Sequence, residues 1–586
     1  MNPILRWFRR GTALLLMVGA VPVWAQSVDE SLTPLLTDRL SSVPPNWKPA
    51  AGVQANPFKA EVKTKTGSGV LVGTPGQPVT LLTNASDVRL VMEVMLSPGA
   101  EGTLSLGSTN IRLADNWGKP AINTGTFGAI EGGAALLPTQ NAVKAPGLWQ
   151  TLEVQRQGSG KGPATLEKMT LNGVVIHETL VLPRATDGTA GTVALTVKTG
   201  TVAVRNLGYQ LITDRPVAKL MNIRYKLYAN KTETTSPAEL ANLKLVKEDT
   251  TSALTYEVSY GQPRWHGIVY TGDLVVDKTG PYTLALQQGG FASLHIDGKE
   301  VIANQRLDLG YMNTAKINLT AGKHPFTLFF GRSWPRPGLG FFISAPDTKF
   351  QALHPRASLP EPDPVGEIAV EPGTKPSVIR SFVNFGPKKK THCISVGSPT
   401  GLNYTVDLNQ GALLQVWRGP FADVTEMWYE RGEPQLLKPL GTLAVLSAQN
   451  PLALMANASQ YWPDSLSDSE LKYKGLSMDK QGYPIMQYRL RDLDVTDAVL
   501  PDADSKSFTR TLTVKGPDNE ALYCRLAAGA SLEEVAKGLY SVDGKYYVRI
   551  EGKIKPTVRN SSGRQELVVP VVMKGGLATV QYSILW

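Results

Sequence analysis

From about residue 58 the chain alternates apolar and polar positions with period two. In Val88–Leu96, Leu90, Met92, Val94 and Leu96 share one face while Arg89 and Glu93 take the other, the pattern of a half-buried strand. Leu152-Glu153-Val154-Gln155 repeats it. Met169-Thr170-Leu171 and Val174-Val175-Ile176 flank Asn172-Gly173, a dipeptide that accepts the positive φ angles of a tight hairpin turn. Strands are also predicted around Leu274-Val275-Val276, at Tyr282–Leu286, and at Ser293–Ile296 before the turn Asp297-Gly298. Ala321-Gly322-Lys323-His324 leads into Phe326–Phe330, and Leu539–Val542 and Lys545–Ile550 flank Asp543-Gly544. Helical patterns are rare. Ser236-Pro237-Ala238-Glu239 has the capping-box arrangement, and Ser531–Lys537 reads as one short helix, capped by Ser531 and stopped by Gly538. The predicted fold class is all-β and multidomain, built of jelly-roll or β-sandwich modules with few short helices.

Punctuation along the chain divides it. Residues 26–57 are rich in Pro, Ser and Thr and read as a linker or draping arm; 58–213 read as a first sandwich and 214–352 as a second. Residues 353–377 carry Pro355, Pro360, Pro362, Pro364, Pro372 and Pro376, a stiff linker, and 378–586 form a β-rich C-terminal unit. Length agrees: 586 residues at roughly 150 per domain give three or four. With 42% hydrophobic residues, 55 Gly and 41 Pro, the chain has material for several cores and too many turn formers for a helical bundle.

Residues 1–25 read as a secretory signal peptide: Arg6, Arg9 and Arg10, a short apolar run Ala13–Val21, then Val23-Trp24-Ala25. The expected location is periplasmic or secreted, with no transmembrane segment. The net charge of +10 falls to +7 without those three arginines. Basic residues are scattered except for Lys388-Lys389-Lys390, read as a solvated loop or strand edge, so no nucleic-acid partner is expected. Two cysteines, Cys393 and Cys524, leave a disulfide open and exclude haem attachment and cysteine-rich metal sites. None of the six histidines stands at metal-ligand spacing, and no nucleophile elbow, P-loop or dinucleotide fingerprint occurs. No metal and no cofactor is expected.

Two family resemblances are carried by motifs. Asn110–Trp117, Gly147-Leu148-Trp149-Gln150, Leu171-Asn172-Gly173 and Val204-Arg205-Asn206-Leu207 make the first unit similar to the 3-keto-disaccharide hydrolase domain, a concanavalin-like sandwich related to glycoside hydrolases. Asp115 and Trp117 match that family's E-x-Q-I-x-D-x-W-like strand, whereas its Glu and Gln positions are Asn110 and Arg112 here. Thr196-Val197-Lys198-Thr199 stands where the family carries a Q-D-H-G-like stretch. Gly280–Leu284, Leu294–Lys299 and Leu319–His324 make the second unit resemble the protective-antigen-type β-sandwich. Calcium-dependent members of that family carry an Asp-Asp pair where this chain has Gly289-Gly290, and calcium takes several oxygen ligands. His392–Gly397, Asn403-Tyr404 and Trp417–Phe421 resemble the β-rich region that accompanies these modules in large exported proteins.

Aromatic rings stack on the apolar face of a pyranose while Asp, Asn and Arg take its hydroxyls. The candidate carbohydrate-binding residues are therefore Asp115, Asn116, Trp117 and Arg205 in the first unit and Trp334, flanked by Pro and Gly, in the second. For Trp117 a core position is the alternative; Trp149, Trp417 and Trp428 read as core. The leading reading is an exported, non-catalytic protein that binds carbohydrate or a cell-envelope polymer, with no catalytic residue assigned. Two others stay open: a hydrolase or lyase of 3-keto-glycosides centred on Asp115, which needs a second group because glycoside cleavage uses two carboxyls, and a structural component bound to another exported protein.

Overall fold

The computed structural model describes every residue except 1–31, 36–39, 41, 132–135, 159–162, 183–190, 214, 430–433, 458, 519–520 and 553. The leader read at 1–25 lies outside the described residues. The fold is all-β. Among the described residues helix is confined to short turns such as Thr425–Trp428 and the 3-10 segment Pro237–Asn242, where Ser236 Oγ accepts the Ala238 N–H and the Glu239 carboxylate accepts the Thr235 N–H, each one residue before the expected capping-box partner. No described helix is long and apolar enough to cross a membrane.

In the first unit a sheet runs in the order Val174–Val181, Thr165–Leu171, Trp149–Gln157, Val88–Leu96, Val202–Leu211, Lys59–Gly73, Trp47–Asn56, with Thr33–Pro34 also paired to Val202–Leu211. A second sheet, Val79–Leu82, Val193–Thr199, Glu101–Leu106 and Thr109–Ala114, closes the sandwich, and Leu90, Met92, Leu104 and Ile111 fill the space between. Asn172 and Gly173 take φ of 54° and 83°, so the expected hairpin turn forms. The linker reading of 26–57 is corrected over Trp47–Asn56, which is an edge strand; the Trp47 ring is buried and its indole N–H donates to the Gln77 carbonyl.

The middle unit pairs a six-stranded sheet with a four-stranded one. The larger runs Lys244–Thr250, Ala218–Ala229, His266–Val276, Gly322–Gly331, Gly290–Ile296, Lys299–Leu307. The smaller runs Met312–Leu319, Gly280–Gln288, Leu339–Ser344, Gln351–Ala352. Part of the Pro-rich segment belongs to this unit rather than to a free linker: Ser358 is fully buried, donating to the Leu339 carbonyl at 2.5 Å and accepting the Tyr256 N–H at 2.9 Å.

The C-terminal unit holds a five-stranded sheet over Ser377–Val445 and an eight-stranded one over Leu471–Leu585, with smaller sheets beside them. Two expectations are corrected here. Residues Leu532–Ala536 form a strand, not a helix, because they pair with Leu539–Val542 across a tight turn at Gly538. Trp428 is 70% exposed, whereas Trp149 and Trp417 are buried. The first and last units share one core: Trp117, Ala145 and Leu148 cluster with Phe508, Tyr547 and Trp586.

Candidate functional site

Strand Thr109–Ala114 delivers Asp115, Asn116 and Trp117 into a tight connection. Asp115 Oδ2 accepts the Gly99 N–H at 2.9 Å and Oδ1 accepts the Trp117 N–H at 3.1 Å. Among the described residues neither a histidine nor a second carboxylate hydrogen-bonds to it. Asn116 Oδ1 accepts the Phe127 N–H at 2.7 Å, and its amide donates to the Gly125 carbonyl at 3.2 Å. Trp117 is 6% exposed, with its ring centroid 6.0 Å from that of Phe58 and 5.3 Å from the Lys506 ammonium. Of the two readings left open for Trp117, the core one describes its position.

Arg205 is not grouped with these three. It stands on the larger sheet, where its Nε donates to Glu93 Oε2 at 2.6 Å and its guanidinium lies 4.1 Å from the Trp149 ring centroid. Asn206, at φ 49°, donates to the same Glu93 oxygen at 2.8 Å. Lys144 sits partly buried nearby; burial pushes its ammonium down to about 8, the charge of Glu93 opposes the shift and that of Lys545 adds to it. Glu93 was visible as a polar position of an alternating strand; nothing in the local sequence marks Lys144.

The second candidate region is a corner of the middle unit. Strands His266–Val276 and Gly322–Gly331 are neighbours with Gly267 opposite Gly331, so the residues just outside them meet: Arg264 and Trp265 on one side, Arg332 to Trp334 on the other. Trp334 is 65% exposed. Its ring stands 5.0 Å from that of Trp265 at 74°, an edge-to-face pair. The Arg264 guanidinium lies 4.7 Å from the Trp265 centroid and 5.0 Å from the Trp334 centroid, within cation–π range of both.

The corner is held from behind. Glu233 Oε1 accepts Ser333 Oγ–H at 2.7 Å and the Trp334 N–H at 3.2 Å. The Arg332 guanidinium donates to the Ser333 and Pro335 carbonyls. Next to Trp265 in the chain, buried His266 holds the Pro263 carbonyl through Nδ1 at 2.9 Å, and burial pushes its pKa down, favouring the neutral ring. Gly289 and Gly290 have a job of their own: a Cβ on Gly289 would sit 1.7 Å from the Arg336 carbonyl oxygen, and one on Gly290, at φ +144°, would sit 2.5 Å from that of Gly331. The absent side chains let the 332–338 loop lie on the sheet. Beside the loop is a hollow of about 660 Å³, open to solvent, lined by Arg336, His354, Arg356, Leu359, Pro360 and Asp363.

The sequence singled out Trp334 here and missed Arg264, Trp265 and Glu233; the run Arg264-Trp265-His266 before a strand was the available signal. Among the described residues no three His, Cys, Asp or Glu side chains gather as a metal site.

No family model and no curated protein matches the chain. Solved structures overlap parts of it. A beta-glucosidase from Kluyveromyces marxianus in complex with glucose is 16% identical over 21% of this chain, which spans 16% of that enzyme, with a TM-score of 0.18. The epithelial adhesin 9 A domain from Candida glabrata, in complex with Galb1-3GlcNAc, is 10% identical over 24% of this chain and 88% of its own, with a TM-score of 0.19. An anti-sigma factor domain-containing protein from Clostridium clariflavum is 12% identical over 45% of this chain and 99% of its own, with a TM-score of 0.20. Overlaps of this depth place no function in this chain.

Proposed function

We propose that the protein is an exported carbohydrate-binding protein whose binding platform is the Trp334 corner of the middle unit, and that it acts without a catalytic step. The observation that carries the reading is a large indole left in solvent yet fixed in place. Burial of a free tryptophan ring is favourable by a few kcal/mol, so a ring exposed by a braced loop is arranged for something other than its own chain's core. A flat apolar face beside guanidinium donors matches a pyranose, which is apolar on one face and ringed by hydroxyls. The non-catalytic half of the proposal rests on Asp115, whose two oxygens each already accept a main-chain N–H, one from Trp117 in its own connection and one from Gly99 in the neighbouring turn.

Affinity electrophoresis of the full chain through gels containing a panel of polysaccharides, and depletion onto insoluble cell-wall preparations, test the reading. Retardation by at least one glycan is expected, with Trp334→Ala weakening it about tenfold, the equivalent of one lost stacking contact at ~1.4 kcal/mol. No retardation by any glycan, or retardation unchanged in Trp334→Ala, overturns it. Turnover of a 3-keto-disaccharide abolished by Asp115→Asn would restore the hydrolase reading.

A further inference from the structure

We infer that the glycan taken by the Trp334 corner is acidic, a polysaccharide bearing carboxylates on its sugar rings; the inference rests on the binding reading above and adds the chemical class of the ligand. The feature that selects it is Arg264. Its side chain is exposed, and among the described residues no carboxylate stands within ion-pair distance of it. By contrast, Arg306 is 3.5 Å from Asp308, Arg336 is 2.7 Å from Asp363 and Arg356 is 3.4 Å from Glu361, while the Arg332 guanidinium donates to the Ser333 and Pro335 carbonyls. Glu233, which is bonded to the corner, uses Oε1 to accept from Ser333 and the Trp334 main chain and makes no ion pair with Arg264.

Geometry supplies the rest. Both rings lie within cation–π distance of the Arg264 guanidinium, which fixes its position without using a carboxylate. Its N–H groups remain available, and a guanidinium presents them as a planar fork that matches the two oxygens of a carboxylate. The Arg264 guanidinium lies 5.0 Å from the Trp334 ring centroid, so a uronic acid packed against the exposed part of that ring brings the carboxylate projecting from its own ring edge within reach of the guanidinium N–H groups. A neutral sugar offers hydroxyls there, and charge-assisted bonds are roughly twice as strong as neutral ones. Arg332 adds positive potential from behind: burial first, and then the neighbouring Arg264 charge, lower its pKa, with Tyr256 and Glu233 opposing.

The test uses the full chain with three soluble probes: polygalacturonate, the same polymer methyl-esterified so that its carboxylates are neutral, and dextran. Polygalacturonate is expected to bind at least tenfold more tightly than its ester, with the preference shrinking as salt is raised from 50 to about 300 mM. Arg264→Gln, an exposed substitution, should remove the preference, while Trp334→Ala should weaken binding of the acid and the ester alike. Equal binding of acid and ester, with Trp334→Ala still damaging, overturns this inference and leaves the glycan reading standing. A preference for the acid that survives Arg264→Gln also overturns it, because the attraction then comes from the chain's net positive charge elsewhere. Failure of every probe and every neutral glycan sinks both readings together.

Discussion

The indole N–H of Trp117 donates to the main-chain oxygen of Trp586 at 2.9 Å, joining two residues 469 positions apart. Around this bond the first sandwich and the C-terminal unit stop being separate bodies: Tyr547 Oη donates to the Pro146 carbonyl at 2.9 Å, and Thr442 Oγ to that of Ala142 at 2.9 Å. Trp117→Phe keeps most of the buried area and removes the donor, so it should cost about 1–2 kcal/mol. Trp117→Ala opens a cavity and should cost about 3–5 kcal/mol. Urea unfolding measures both. Glycan retardation by folded Trp117→Phe should match the parent chain, which separates this ring from Trp334.

What the sequence disclosed follows from how local each signal is. Val88–Leu96 alternates because its two faces meet different surroundings, a core and a charged sheet surface, and that is written in nine consecutive residues. Asn172-Gly173, Asp297-Gly298 and Asp543-Gly544 announce themselves because all six residues adopt positive φ. Trp47–Asn56 does not, since it is an edge strand, where Pro49 is tolerated and alternation is weak. Leu532–Ala536 has helix-forming residues, and the decision for strand is made by its partner Leu539–Val542. The Trp334 corner was half legible. An exposed Trp in a Pro- and Gly-flanked loop is a local signal, but Arg264 joins it only through the register of two strands that are distant in sequence.

Arg510 and Asp497 form a buried ion pair, with side chains 4% and 2% exposed and contacts of 2.6 and 3.0 Å. Arg510 also donates to the Gly411 carbonyl at 2.9 Å and to Tyr582 Oη at 3.3 Å. Removing one charge strands the other, so Asp497→Asn should destabilise by about 3–5 kcal/mol. The double variant Asp497→Leu with Arg510→Met should recover most of that loss. Chemical denaturation of the parent chain and the two variants decides; a double variant as unstable as the single one would mean the network, not the charge, carries the cost.

Cys393 and Cys524 are both free and buried. Burial pushes each thiol up to about 12, with Asp407 adding to the shift at Cys393 and Arg510 opposing it at Cys524. A thiol that high yields almost no thiolate at pH 8, and the thiolate is the nucleophile. Ellman titration of the native chain should therefore be silent over minutes, and two thiols should appear in guanidinium. A mass 2 Da lower under non-reducing conditions would show a disulfide and refute this.

Lys144 makes stability depend on pH with a definite sign. Its pKa is about 8 in the folded chain against 10.5 ordinarily. Between those values the unfolded chain binds more protons than the folded one, so this residue's contribution makes the protein more stable as pH rises from 8 to 10.5. Below pH 8 the penalty of keeping a partly buried ammonium is fully present. Lys144→Met should thus raise stability at pH 7 by an amount on the order of 1–3 kcal/mol. That gain should fade toward zero by pH 10.5. Tyrosine ionisation affects both chains equally, so the difference between their melting curves isolates the effect.

Gly289 is the residue on which the exposed platform depends without touching a ligand. Its N–H donates to the Gly338 carbonyl at 3.0 Å, and the space for a Cβ is already taken by the Arg336 carbonyl oxygen. Backbone meets backbone there, so no side chain can swing aside; the 332–338 loop must move. Its other end is tied by Glu233 to Ser333 and Trp334, and the displacement is transmitted to the indole. Gly289→Ala should therefore separate two quantities. Stability should fall by about 1–3 kcal/mol, the usual range for overpacking. Glycan retardation should fall as far as in Trp334→Ala, measured at a temperature where circular dichroism shows the sheets intact. Gly298→Ala serves as the control: nothing lies within 4 Å of its added Cβ, so it strains a turn at φ +76° away from the loop and should cost stability while leaving binding unchanged. If Gly289→Ala retains full binding, the ring is not positioned through this contact, and Glu233 alone sets it.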